Sequence, residues 1–342
     1  MAQGILSSSR SIFTLAVLAI VLVVATIPLA AQTEPLGKQV PAVNHNAWTS
    51  GAAMPTALLS SAAAVLKGQI YVVGGDNGSA TVADTQIFNP ATNVWSTGVP
   101  LPAPIGGAVA AVVNKVLYVI GGSGSRSGSP VTNTVYAYNP KTSTWSTKAA
   151  MPTARDNMTA VVANNIIYVI GGWNGAFSGN GLATVESYNP ATDTWTEEAP
   201  LLVGKWFPSA GVFGTKLTGY TIAAPDGAAQ CCPSDFAGDN ESYNVSTNTW
   251  TSLDADPTAR AFACFGTIGS KLHIAGGTNT QGPALSVTES YQLSKNAWKT
   301  LAPIPQATIA PASAVYEGRL YCFGGWTAWN GSVLDNVQIY QP

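Results

Sequence analysis

The sequence predicts an all-β fold, a six-bladed β-propeller of four-stranded antiparallel blades closed by pairing of an N-terminal strand with the C-terminal blade. Three observations predict it. An apolar run ending in a glycine pair recurs with a period of roughly fifty residues, the mark of a repeated supersecondary unit. Each pair is followed by an aromatic residue and, at a fixed spacing, by a tryptophan. The two ends of the chain carry fragments of the unit that complete one another.

The clearest copy of the first signal is Ile166-Ile167-Tyr168-Val169-Ile170-Gly171-Gly172. It returns at Gly74-Gly75, Gly121-Gly122, Gly276-Gly277 and Gly324-Gly325, and a disguised copy aligns Tyr220 to Gly227 with Tyr168 to Gly175, with Ala223-Ala224 in place of the glycines. A glycine pair at a strand end allows positive φ and a close backbone approach. The second signal is the set Phe88/Trp95, Tyr138/Trp145, Tyr188/Trp195, Tyr243/Trp250 and Tyr291/Trp298. Between each pair lie Asn, Pro and Thr residues that favour a tight turn, so each pair reads as a hairpin with large rings filling the space between sheets.

The pattern resembles the kelch-repeat family, whose unit has a Gly-Gly pair, a Tyr and a Trp at these relative positions. The resemblance covers Trp48 to Pro342, and five of six glycine pairs match. It implies a propeller and leaves function open, because one fold hosts many activities. The last aromatic, Tyr340, has no tryptophan after it, whereas Asn44-His45-Asn46-Ala47-Trp48 is a fourth strand without a blade. Joining the two restores the internal spacing and closes the ring, which protects its edges.

Residues 1–31 have the layout of a secretory signal: Arg10, an apolar core from Ser11 to Val24, and small residues around Ala30-Ala31. The alternative is an uncleaved membrane anchor. Residues 32–43 read as a flexible leader, and 44–342 as the propeller. The expected protein is a secreted or periplasmic monomer, with no membrane contact after cleavage. Charged residues make up only 9% and the net charge is −2, so there is no basic field for nucleic acid. Of four cysteines, the adjacent Cys231 and Cys232 are candidates for a disulfide; Cys264 and Cys322 are expected as buried thiols on neighbouring blades.

In such a blade the turn into the first strand and the turn out of the second share one face and converge on the channel. Counting back from the glycine pairs gives Leu58, Ile105, Arg155, Trp206, Arg260 and Thr308 at the first of these turns. The second contributes Trp173, Asn174, Asp226, Trp326 and Trp329. Tryptophan faces beside amides and carboxylates suit a sugar, and an arginine pair suits a carboxylate. Arg155, Trp206, Arg260, Trp173, Asn174, Asp226, Trp326 and Trp329 therefore form the candidate ligand site, its partner a glycan or a protein. The arginines also fit a bracing role in the loops, and Glu186, Glu241 and Glu289, two residues before the third-strand tyrosine, fit a structural role toward turn amides.

Two enzyme families share elements of this pattern. Copper oxidases of the galactose oxidase type hold copper with two Tyr and two His; this chain has two histidines, His45 and His273, and neither is placed as a ligand. No metal or other cofactor is called for. The chain is also similar to the bacterial six-bladed kelch mutarotase of sialic acid, a resemblance that implies acid–base chemistry on an acidic sugar by residues such as Asp156, Asp226, Arg155 and Arg260. A noncatalytic binding module is ranked ahead of it, with no catalytic residue assigned.

Overall fold

The computed structural model describes residues 45–125, 130–175, 181–216, 218–225, 227–228, 236, 238–280 and 282–342. The signal and leader segments, Asp226, Cys231 and Cys232 lie outside them. No helix among the described residues is long and apolar enough to cross a membrane.

Six four-stranded antiparallel sheets make up the fold. In blade 3 the strands run outward as Thr159–Ala163, Ile166–Ile170, Val185–Asn189 and Thr194–Glu197. The innermost strands of successive blades pack against one another around a closed ring. Side chains alternate along a strand, and in Ala62–Leu66 the alternate residues are buried between blades while the others are partly open to the axis. Each interface is a separate apolar cluster. Between blades 2 and 3, for example, Tyr118 and Ile120 pack with Met151, Ile167, Val169 and Tyr188, whereas Val119, on the opposite face of its strand, packs toward blade 1.

Blade 6 is built from both ends of the chain. Ala47–Gly51 pairs with Val333–Gln341, Trp48 opposite Tyr340, as Trp195 lies opposite Tyr188 in blade 3. The side chains repeat the same staple. In blade 3 the Tyr188 hydroxyl donates to Asp193, which also accepts the Ala149 N–H at 2.9 Å, while the Trp195 indole donates to the Ala149 carbonyl at 2.9 Å. In blade 6 the corresponding partners are Tyr340, Asn46, Ala302 and Trp48. Asp193 and Asn46 have φ of 56° and 57°, a conformation in which short polar side chains are tolerated. The Trp of the repeat therefore ties each outer hairpin to the linker that enters its own blade, and an Asx does so as well in every blade but the second, where Ser143 takes its place.

The fourth blade differs from its expected register. Ile222 pairs with Tyr243, as Ile167 does with Tyr188. Gly227, not Ala224, then occupies the place of the second glycine, and its N–H donates to Arg260 O as that of Gly172 does to Lys205 O. The cause is a longer first hairpin: Gly211–Thr215 pairs with Gly219–Ala223 as far as Thr215 opposite Gly219. That extension carries Tyr220 down the strand, so that counting from a tyrosine misplaces the pair by three residues.

The cysteine expectation is also corrected. Cys264, at the start of the first strand of blade 5, and Cys322, in the second strand of blade 6, form a disulfide with Cα atoms 5.8 Å apart. Their sequence positions fall on facing surfaces of adjacent blades, so two apparently independent buried thiols become a covalent link across the interface.

Candidate functional site

The turn into each first strand is a three-residue device. The first residue points its carbonyl at the second glycine of the preceding blade: Ile105, Arg155, Lys205, Arg260, Thr308 and Leu58 accept from Gly75, Gly122, Gly172, Gly227, Gly277 and Gly325. Gly172 shows why glycine is needed there. Its φ is +101°, and a Cβ would sit 2.7 Å from the Asp156 carbonyl oxygen. In blade 4 the residue at this place is Lys205, so the expected Trp206 is moved one step along the turn.

Side chains at this first place do not face the channel mouth. Arg155 and Arg260 are 0% exposed and Lys205 is 2% exposed. Arg155 donates to Glu186 at 2.8 Å and to the Thr184 and Val169 carbonyls. Lys205 makes the corresponding contacts with the Asp239 and Ala224 carbonyls and lies 3.2 Å from Glu241. Arg260 donates to the Val287 carbonyl, to Glu289 and, at 3.2 Å, to Asp256. Burial lowers the Arg155 pKa to about 10, still well above neutrality, so the pair remains ionised. Three consecutive blades thus share one buried cation–carboxylate brace. The expected role of the glutamates toward turn amides is part of it: Glu241 also accepts the Leu202 and Val203 N–H groups.

The second residue of each turn bridges to the residue after the glycine pair: Asp156 with Trp173, Trp206 with Ala228, Ile309 with Trp326. The third has positive φ in every blade: Ser60, Gly107, Asn157, Phe207, Phe262 and Ala310. Their backbones join into a ring around the axis. Ser60 N–H donates to Ala310 O, Gly107 to Ser60, Asn157 to Gly107, Phe207 to Asn157 and Ala310 to Phe262, at 2.7 to 2.9 Å. At the joint of blades 4 and 5 the Phe207 and Phe262 rings stack. Positive φ is uncommon in a bulky residue, and such strain collects where function over-determines the backbone.

Above this ring lies an aromatic wall. Trp173 meets Trp206, Trp206 meets Phe207 and Phe262, Phe262 meets Trp329, and Trp329 meets Trp326, with centroids 5.1 to 5.9 Å apart. Trp206, Phe207, Trp326 and Trp329 are half-buried, Trp173 is buried and Asn174 is exposed. The structure therefore brings together the four predicted tryptophans and separates them from the two predicted arginines. Phe207 and Phe262 belong to the wall as well; their place two residues after the brace could have identified them.

Two buried polar atoms beside this wall have no hydrogen-bond partner among the described residues, Asp156 Oδ1 and Trp206 Nε1. Leaving such groups unsatisfied costs about 1–3 kcal/mol each. Burial raises the Asp156 pKa to about 8 despite a hydrogen bond from Asn157. At neutral pH this carboxyl holds its proton and is a donor. The wall thus offers apolar ring faces, with two unsatisfied polar atoms buried beside them. Among the described residues no cluster of His, Cys, Asp and Glu could hold a metal ion.

Kelch motifs match at residues 58–102, 104–152 and 154–202. Among curated proteins, Kelch-like protein 23 of Mus musculus is 26% identical over 123 residues, and those of Pongo abelii and Homo sapiens are 25% identical. Each match takes in 36% of this chain and 20% of the relative, so the chain spans about a fifth of the length of these relatives. A solved structure described as "Structure of YjhT" superposes with a TM-score of 0.70 at 19% identity, covering 84% of this chain and 96% of that one. This likeness is one of fold.

Proposed function

We propose that this chain, a six-bladed propeller built on kelch motifs, is an exported interaction module that takes an uncharged glycan on the aromatic wall at its channel mouth. One observation carries the reading: the rings of Trp173, Trp206, Phe207, Phe262, Trp329 and Trp326 form one continuous cluster. Half-buried aromatics in contact supply the flat apolar faces on which C–H groups of a sugar ring pack, and a few convergent polar groups fix its orientation. With the nearby cations already neutralised by carboxylates, an uncharged ligand fits better than an acidic one.

A protein partner is the competing reading, since kelch propellers commonly serve as protein-interaction modules. The run of half-buried tryptophan and phenylalanine rings favours a sugar. An epimerase-like enzyme acting on an acidic sugar is weaker: it needs an arginine for the substrate carboxylate, and both candidate arginines have buried carboxylate partners. Export is supported by the signal-like layout of residues 1–31 and by the Cys264–Cys322 disulfide, since such bonds persist in oxidising compartments.

A glycan array probed with the wild type and with Trp206→Ala/Trp329→Ala tests the proposal. A saturable signal lost in the double variant is expected. Absence of any saturable glycan signal from the wild type refutes the sugar reading. Anomer exchange of sialic acid followed by NMR is expected to match buffer; acceleration would favour the enzyme.

A further inference from the structure

The joint between blades 4 and 5 lacks two contacts that the other joints of the ring share. The first is a backbone bond at the axis. At five joints the third residue of the entry turn donates its N–H to its counterpart one blade back, as Asn157 does to Gly107 and Phe207 to Asn157. Among the described residues no such bond runs from Phe262 to Phe207. Their rings stack in its place, and both residues hold positive φ, 54° and 62°. The second missing contact is a ring pair. Tyr71, Tyr118, Tyr168, His273 and Tyr321, all on second strands, each meet a third-strand ring of the next blade at 5.6 to 6.2 Å. Ile222 pairs with Tyr243 as Ile167 does with Tyr188, so Ala223 stands where Tyr168 stands in blade 3. Tyr291 of blade 5 therefore packs on a methyl group where the other joints offer a ring.

The first strand of blade 4 repeats the loss. Gly211 pairs with Ala223 as Val161 pairs with Tyr168, so a glycine faces blade 5 from the place of a valine. Opposite it lies the Thr267 hydroxyl, a buried polar atom with no hydrogen-bond partner among the described residues. From the strands of blade 4 only Ala223 is buried in the apolar cluster at this joint. Blade 2 buries Val109, Ala111, Val113, Tyr118 and Ile120 from its first two strands in the cluster it shares with blade 3. Less apolar area buried means less free energy holding the sheets together, and local opening begins where such contacts are fewest. The neighbouring joint, between blades 5 and 6, also has a small cluster, but the Cys264–Cys322 disulfide crosses it.

We propose that the propeller opens at the joint between blades 4 and 5, a slit latched by the Phe207–Phe262 stack. Trp206 touches Phe262 across this joint, and Phe262 leads on to Trp329, so opening divides the aromatic wall. The slit is thereby a switch on any site built there, a consequence that rests on the preceding reading, whereas the opening itself does not. Hydrogen exchange of the unliganded protein, resolved to single amides and corrected for intrinsic rates, tests it. Amides of Gly211–Thr215 and Gly219–Ala223 are expected to exchange at least about tenfold faster than those of Val109–Val113 and Val116–Ile120, the combined worth of a backbone hydrogen bond and a ring pair. Phe262→Ala removes the latch and keeps a residue that Ala310 shows can hold this φ. It is expected to speed exchange in the blade 4 strands about threefold more, within the contribution of an aromatic pair, and to leave blade 2 unchanged. Equal protection of the two blades in the wild type overturns the inference. So does a variant that leaves blade 4 at wild-type rates or accelerates both blades alike. No sugar is present in these measurements, so their outcome is separate from that of the glycan array.

Discussion

Arg155 and Glu186 meet at 2.8 Å with their side chains 0% and 3% exposed, on a turn where solvent and ligand were expected. The pair holds the start of the first strand of blade 3 against the third strand of the same blade, and Lys205–Glu241 and Arg260–Glu289 repeat the arrangement in the next two. Removing one partner from such a pair leaves an uncompensated buried charge, at a cost of about 3–5 kcal/mol, whereas apolar replacement of both is often neutral. Glu186→Leu is therefore expected to lower stability by about that amount in denaturant unfolding, and Arg155→Met/Glu186→Leu to recover most of it. Equal losses in single and double variants would contradict the brace.

Asp156 has the opposite character, a carboxyl whose protonation is governed by burial and not by a paired cation. Its pKa is raised to about 8 in the folded protein against about 3.9 when unfolded. Between those values the folded state binds the additional proton, so stability falls as pH rises from about 4 to about 8, by about 1.4 kcal/mol per unit at most. Asp156→Asn removes the titration. Its melting temperature is expected to exceed that of the wild type at pH 8 and to converge with it near pH 4; a constant gap across that range would contradict the assignment.

His273 stands where the second strands of most other blades have tyrosine, 2% exposed and packed on Tyr340 at 5.6 Å. Burial lowers its pKa to about 4 from 6.5. The unfolded chain takes up a proton first, so its contribution is lost as pH falls from about 6.5 to about 4, up to about 3 kcal/mol. Thermal melts of His273→Tyr are expected to show a shallower acid dependence. A variant with the wild-type slope would remove His273 from the account.

The Cys264–Cys322 bond links blade 5 to blade 6, the blade that closes the ring, across a sequence separation of 58. The chain-entropy relation gives about 4 kcal/mol for a loop of this length. Cys264→Ser/Cys322→Ser is expected to unfold at correspondingly lower denaturant, and free-thiol titration of the unfolded wild type to find neither cysteine reactive before reduction. Two reactive thiols at these positions would refute the bond.

Much of this architecture is legible in the sequence because the repeat is written in residues with narrow physical uses. Glycine is required where φ is positive and a neighbouring carbonyl lies within reach of a Cβ, as at Gly172. Tryptophan and an Asx at fixed spacing are required by the staple that Trp48 and Asn46 complete in blade 6. The site is less legible. Arg155 and Arg260 read as recognition residues from their turn, but direction across the turn decides their role, and the repeat does not encode direction. Glu186, Glu241 and Glu289 carried the missing signal: a glutamate in the same blades as the basic residues. The register of blade 4 was hidden by the longer hairpin before Tyr220, and the disulfide by its absence from the repeat.

The central claim is that ligand recognition rests on the aromatic wall and not on the buried cations. Titration of the strongest array glycan into Trp329→Ala tests it most directly, since Trp329 is a half-buried ring that joins Phe262 to Trp326 in the wall. Losing a stacked ring is expected to weaken binding at least about fivefold, the low end of the roughly 1–3 kcal/mol that stacking on an aromatic ring contributes. Affinity equal to that of the wild type would contradict the claim.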